Sequence, residues 1–245
     1  MEVVTERVEI PTDGGTMGGY LARPTTGKHP GVLVFMEIFG INSHIRDVTE
    51  RVAREGYVAL APDFFHRSGP GVEYGYDDAG FAGGMALLNA LHAGEMVGDA
   101  QAALAYLRNR SDVLADRIGC MGFCIGGHMA YLTACETDVK ATASFYGGGI
   151  AAPQGPGGAE STLGRTHKIR GRMLCLFGGR DSFIPEEQAD AIVSALRHEK
   201  VRYDAVTYAA ADHGFFCDQR GNFDPDAAAD AWEQVTRLFA EELAR

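Results

Sequence analysis

Apolar and polar positions alternate in blocks along this chain. From about Val4 to Pro24 the pattern is that of two strands around the turn Thr12-Asp13-Gly14-Gly15-Thr16. Gly31-Val32-Leu33-Val34-Phe35-Met36 is then a continuous apolar run, the signature of a strand covered on both faces. Ile45, Val48 and Val52 recur at helical spacing and stop at Gly56, a helix-ending residue. Tyr57-Val58-Ala59-Leu60-Ala61 is a second buried-type strand, closed by Pro62-Asp63.

Residues 68–84 are rich in glycine and predict an irregular excursion, followed by a helix to about Arg110. The alternation then resumes. Strands are predicted over Arg117–Met121, Ala141–Tyr146, Met173–Phe177 and Val201–Tyr208, and helices over Gly126–Cys135, Glu186–Arg197 and Ala227–Leu243. Gly147 to about Gly164 is a Gly/Pro loop. Strand and helix at this spacing predict an α/β fold, a mostly parallel sheet covered by helices on both faces. Neither Gly-rich stretch has the character of a linker, so residues 1–245 are expected to form a single domain.

Composition narrows the function classes. A chain of 245 residues with 46% hydrophobic and 22% charged positions is ordinary for a globular protein. Its net charge of -11 repels phosphate backbones and anionic lipid, which argues against nucleic-acid and membrane partners. No apolar stretch is long enough to span a bilayer and the N-terminus lacks the pattern of a secretory signal, so the expected location is cytoplasmic. The five cysteines are odd in number and none are in CxxC spacing, so neither a disulfide framework nor a structural zinc site is expected.

One cysteine stands apart. Gly122-Phe123-Cys124-Ile125-Gly126 leaves a predicted strand and opens a predicted helix, the setting of a nucleophile elbow with Cys in the place of Ser. A helix N-terminus favours a thiolate there. The short motif alone fits an ordinary core cysteine between packing glycines better than it fits a nucleophile. Two further residues change that balance: Asp181 follows the Met173–Phe177 strand, and His213 follows the Val201–Tyr208 strand. Nucleophile, acid and histidine occur in the chain order of the α/β-hydrolases. Read separately, Asp181 is a helix-capping residue and His213 a loop histidine. Read together, His213 exchanges protons with Cys124, and Asp181 orients the ring. The expected oxyanion donors are the backbone N–H groups of Ile125 and of Ile38, in the loop after Met36.

With Glu37-Ile38-Phe39-Gly40 and the following Asn42, Ala61-Pro62-Asp63, the cysteine elbow, Phe145-Tyr146-Gly147, Gly179-Arg180-Asp181 and His213-Gly214-Phe215, the chain resembles the dienelactone hydrolases from about residue 5 to 243. The resemblance implies a cofactor- and metal-free hydrolase of lactones or esters, and a place for Glu37 beside the thiol, sharing in its activation. On its residues alone Glu37 is an ordinary loop carboxylate. In that family arginines hold the anionic substrate, one a few residues beyond the histidine and one in the region of 72–92. Here Cys217 and Asp218 stand beyond the histidine, and residues 72–92 contain no Arg or Lys. Arg67 and Arg220 are the conceivable substitutes, though each also reads as a solvated surface charge. Phe39 and Tyr146 are candidates for the pocket wall, or for core packing. The expected reaction is thiol-dependent hydrolysis of a small lactone or ester, with the anionic dienelactone disfavoured. The alternatives are a broad carboxylesterase or thioesterase and a catalytically idle ligand binder of the same fold.

Overall fold

Residues 1–243 are described by the structure, a computed structural model. The opening strands β1 (Val3–Thr12) and β2 (Gly15–Pro24) form an antiparallel hairpin in which Thr12 lies opposite Gly15, so the turn is the Asp13-Gly14 pair. The sheet continues with β3 (His29–Phe35), β4 (Val58–Pro62), β5 (Val113–Phe123), β6 (Ala141–Phe145), β7 (Arg172–Gly178) and β8 (Arg202–Tyr208). The strand order is β1-β2-β4-β3-β5-β6-β7-β8. β2 is antiparallel to β4, and all strands from β4 to β8 run parallel.

The continuous apolar runs are buried on both faces, as their lack of alternation predicts: every residue of β4 and of β6 is buried. One face is covered by α1 (Ser43–Arg54) and α6 (Pro225–Leu243), joined where the Arg51 guanidinium lies 4.5 Å from the centre of the Trp232 ring. The other carries α3 (Ala93–Arg108) and α4 (Ile125–Glu136), with α5 (Glu186–His198) beside β8. All of α4 up to Cys135 is buried, which explains why its sequence is apolar around its whole circumference. No helix among the described residues is long and apolar enough to cross a membrane.

One expectation needs correction. The irregular stretch ends at Tyr76, and a helix, α2 (Asp78–Leu88), begins inside the segment read as loop. It stops at Asn89 and is separate from α3, where the sequence pattern suggested one helix to Arg110. Gly80, Gly83 and Gly84 hid it, because glycine disfavours a helix interior by about 1 kcal/mol each. They are there because α2 packs too tightly for side chains. A Cβ on Gly84 would lie 2.4 Å from the Ile38 carbonyl oxygen, and one on Gly80 2.1 Å from that of Gly75. The 147–164 loop is irregular apart from the short 3₁₀ segment Pro156–Gly158 and the start of a second, Thr162–Lys168.

α6 is held to the sheet by Phe239, which is 2% exposed, meets the Tyr57 ring at 5.8 Å and covers Gly119 of β5. Phe239→Ala is expected to cost about 3–5 kcal/mol through lost burial and an unfilled cavity. Urea denaturation is the check: the midpoint should fall with the slope unchanged.

Candidate active site

β5 ends at Phe123 and α4 starts at Ile125, so the whole change of direction falls on Cys124, with φ 58° and ψ -121°. That is a left-handed backbone for a residue with a side chain, and it is held from both sides. The Cys124 N–H donates to the Phe145 carbonyl at 3.1 Å, and the Cys124 carbonyl accepts from Gly127 and His128. Strand and helix meet without room for a methyl group. A Cβ on Gly122 would lie 2.1 Å from the Gly126 carbonyl oxygen, and one on Gly126 2.3 Å from that of Phe35. The two flanking glycines are therefore a steric requirement of the turn.

The loops after β7 and β8 bring two groups to the same sheet end. His213 Nδ1 donates to Asp181 Oδ2 at 2.7 Å, and the other side of the ring faces the Cys124 thiol. Asp181 also caps its own loop: its Oδ1 accepts from the N–H groups of Phe183 and Ile184 at 2.8 and 3.2 Å. The expected capping of α5 by Asp181 is not found: its Oδ1 holds the loop, and Pro185 occupies the N-cap of α5. Burial opposes a charged His213 ring, but the contacts with Asp181 and Cys124 outweigh it and push the pKa from the ordinary 6.5 up to about 10.

Glu37 is 1% exposed and fully engaged. Arg220 Nη1 donates to its Oε1 at 3.0 Å, and the Tyr76 hydroxyl donates to its Oε2 at 3.2 Å. Tyr76 accepts in turn from Asn42 Nδ2 at 3.1 Å and contacts the Cys217 thiol. Arg220 lies over the rings of Phe39 and Tyr76, 5.6 Å from each centre. It reaches that position past Gly214, where a Cβ would come within 2.4 Å of its Nη1. Burial works against the Arg220 charge, but Glu37 and the nearby acidic groups, Cys124 among them, raise its pKa.

A cavity of about 410 Å³ opens at this cluster. Cys124, His213, Ile38, Ile125, Phe39 and Arg220 all line it. Ile125 is the first residue of α4, so its N–H has no partner within the helix. Two residues singled out from the sequence are elsewhere. Arg67 is paired through both terminal nitrogens with Asp99, a 1% exposed carboxylate of α3, beside a separate pocket of about 220 Å³. A buried carboxylate needs a cation more than the distant cavity does. Tyr146 is 0% exposed and packs edge-on beneath His213 at 5.0 Å, and its hydroxyl has no hydrogen-bond partner among the described residues. Tyr76 and Cys217 were not foreseen as part of the site. Tyr76 lies in the irregular stretch, where no periodicity marks it, and Cys217 is one of several cysteines in apolar surroundings.

The dienelactone hydrolase family model matches residues 17–243. A Synechocystis sp. protein named "Putative carboxymethylenebutenolidase" is 45% identical over 244 residues, 99% of either chain. An Escherichia coli K12 protein of the same name is 31% identical, over 98% of this chain and 88% of its own. The fold matches a Klebsiella pneumoniae crystal structure described as a "Putative Dienelactone Hydrolase" with a TM-score of 0.89, at 29% identity, over 98% of this chain and 100% of that one.

Two measurements probe the cluster. Cys120, Cys135, Cys175 and Cys217 are buried, and burial pushes each thiol up to about 12, whereas Cys124 is part-exposed. Iodoacetamide followed by peptide mass analysis should therefore label Cys124 well ahead of the other four. The raised His213 pKa has a definite sign: charged His213 stabilises the fold fully below the ordinary 6.5, and that contribution is lost as pH rises through about 10. In an NMR titration its ring should keep its proton far above 6.5, and Asp181→Asn should lower the midpoint.

Proposed function

Because the chain belongs to the dienelactone hydrolase family, whose members hydrolyse lactones or esters, we propose that it cleaves a small lactone or ester through a thioester formed on Cys124. The observation that carries this reading is the His213 ring, tied to Asp181 at 2.7 Å on one side and facing the elbow thiol on the other.

The steps follow from that geometry. His213 holds the proton of the Cys124 thiol, and the sulfur attacks the substrate carbonyl carbon. The carbonyl oxygen takes up the displaced electron pair and rests between the N–H groups of Ile125 and Ile38. As the carbon–oxygen ester bond breaks, the leaving oxygen takes the proton from His213, and the acyl group stays on sulfur. Water then gives a proton to His213 while its oxygen attacks the thioester carbon. The carbon–sulfur bond breaks, the carboxylic acid departs, and the proton returns to the thiol. Asp181 keeps the ring in one orientation throughout. Glu37 acts through Arg220, with which it forms a paired charge at the cavity wall.

Brief exposure to p-nitrophenyl acetate should leave an acetyl adduct on Cys124, read by mass spectrometry, and Cys124→Ala should show none. His213→Ala should lower kcat/KM by roughly 10²–10⁴-fold with the circular dichroism spectrum unchanged. Near-normal turnover in that variant would remove His213 from the mechanism.

A further inference from the structure

A second histidine lines the cavity and takes no part in the steps above. His128 lies one turn beyond Cys124 on α4, where its N–H donates to the Cys124 carbonyl at 3.2 Å, and it is 2% exposed. Burial pushes its pKa down to about 4, so at neutral pH the ring carries one proton. Both ring nitrogens are engaged. A carbonyl oxygen only accepts, so the proton is on Nδ1, which donates to Gly148 at 3.0 Å. Nε2 is left to accept from the Thr162 hydroxyl at 2.7 Å. One imidazole thus joins both ends of the 147–164 loop to the helix that opens at the thiol.

That loop is a wall of the cavity: Gly148, Gly149, Ala152, Gln154 and Pro156 line it alongside His128. Its tip is folded on itself, with the Gly155 N–H donating to the Ala159 carbonyl at 2.9 Å and a bridge between Gln154 and Glu160. A backbone so rich in glycine has little stiffness of its own, and its place against the cavity is set by how its ends are held. We infer that His128 is a positioning residue of this site: by clamping Gly148 and Thr162 it fixes the loop wall and determines which esters fit, with no share in bond making or breaking. The inference rests on the thioester reading above and adds to it a determinant of specificity. Without the clamp the loop samples other positions, and a substrate that needs the wall binds more weakly in proportion to the time the wall is out of place. Once bound, the substrate holds the wall itself, so KM should change and kcat should not.

Thr162→Val and His128→Phe are the informative variants. The first removes one hydroxyl from a residue 1% exposed, at nearly unchanged volume, and the second keeps a ring but makes neither bond. p-Nitrophenyl benzoate carries a ring on either side of its carbonyl, so one of them meets the loop whichever way the ester lies. Its KM should rise about three- to tenfold in both variants, with kcat within about twofold. Where the benzoate is turned over too slowly, its inhibition constant against p-nitrophenyl acetate replaces KM. Iodoacetamide should label Cys124 at the unaltered rate. A lower melting temperature with KM unmoved in Thr162→Val makes His128 a core residue only and overturns the inference. A labelling rate that falls as far as KM rises overturns it too, since the fault then lies at the thiol turn. If His128→Phe does not fold, Thr162→Val decides alone. Absence of any acetyl adduct on Cys124 in the unaltered chain would remove the thioester reading, and the role of His128 with it.

Discussion

The contact on which the site depends is between backbones. At the end of β5 the chain must reverse into α4 while β3 passes alongside, and the three meet at Gly122, Gly126 and Phe35 with no space for an added carbon. The reversal leaves Cys124 in a backbone conformation that costs on the order of 1–3 kcal/mol and persists only where the surroundings enforce it. Here they do. Phe123 is packed between Phe145 and Phe216, and β6 accepts the Cys124 N–H. The Cα–Cβ bond of Cys124 is thus aimed by backbone held at the end of the sheet.

A second constraint is electrical. Glu37 is a carboxylate almost wholly removed from water, tolerable only with its oxygens engaged. Arg220 and Tyr76 meet that need, and they come from segments distant in the chain. Three loops are therefore gathered around one charge: the one after β3, the stretch before α2, and the turn following His213. The same association places Phe39 and Arg220 on the cavity wall. It also accounts for the irregular backbone before α2, whose course is set by the place that Tyr76 must take.

What could be read from the residues follows a physical division. The central parallel strands were legible because burial on both faces writes an apolar run, and Asp181 because it lies just past one, β7; β8, before His213, is an edge strand with no buried residue and was legible only from its place in the alternation. The elbow was legible because its glycines are forced by local geometry. Glu37's partners were not, since nothing near Tyr76 or Arg220 in the chain records a carboxylate so far away. Arg67 misled for the same reason: its partner Asp99 is on another element, and an arginine's sequence neighbours do not state where its charge is needed. α2 was obscured because its glycines answer to tertiary crowding and contradict helix propensity.

That crowding has an evolutionary side. Residues 81, 85 and 88 of α2 face the cavity, whereas Gly84, one position away from Met85, lies against the peptide of Ile38. The helix is thus a part with one exchangeable side and one fixed side. Mutation can drift along the first and alter which molecules are accepted, with the thiol turn untouched. On the second, even a single methyl group would push on the loop that carries Glu37 and Ile38. The chemistry and the taste of the cavity can change separately, up to the width of one glycine.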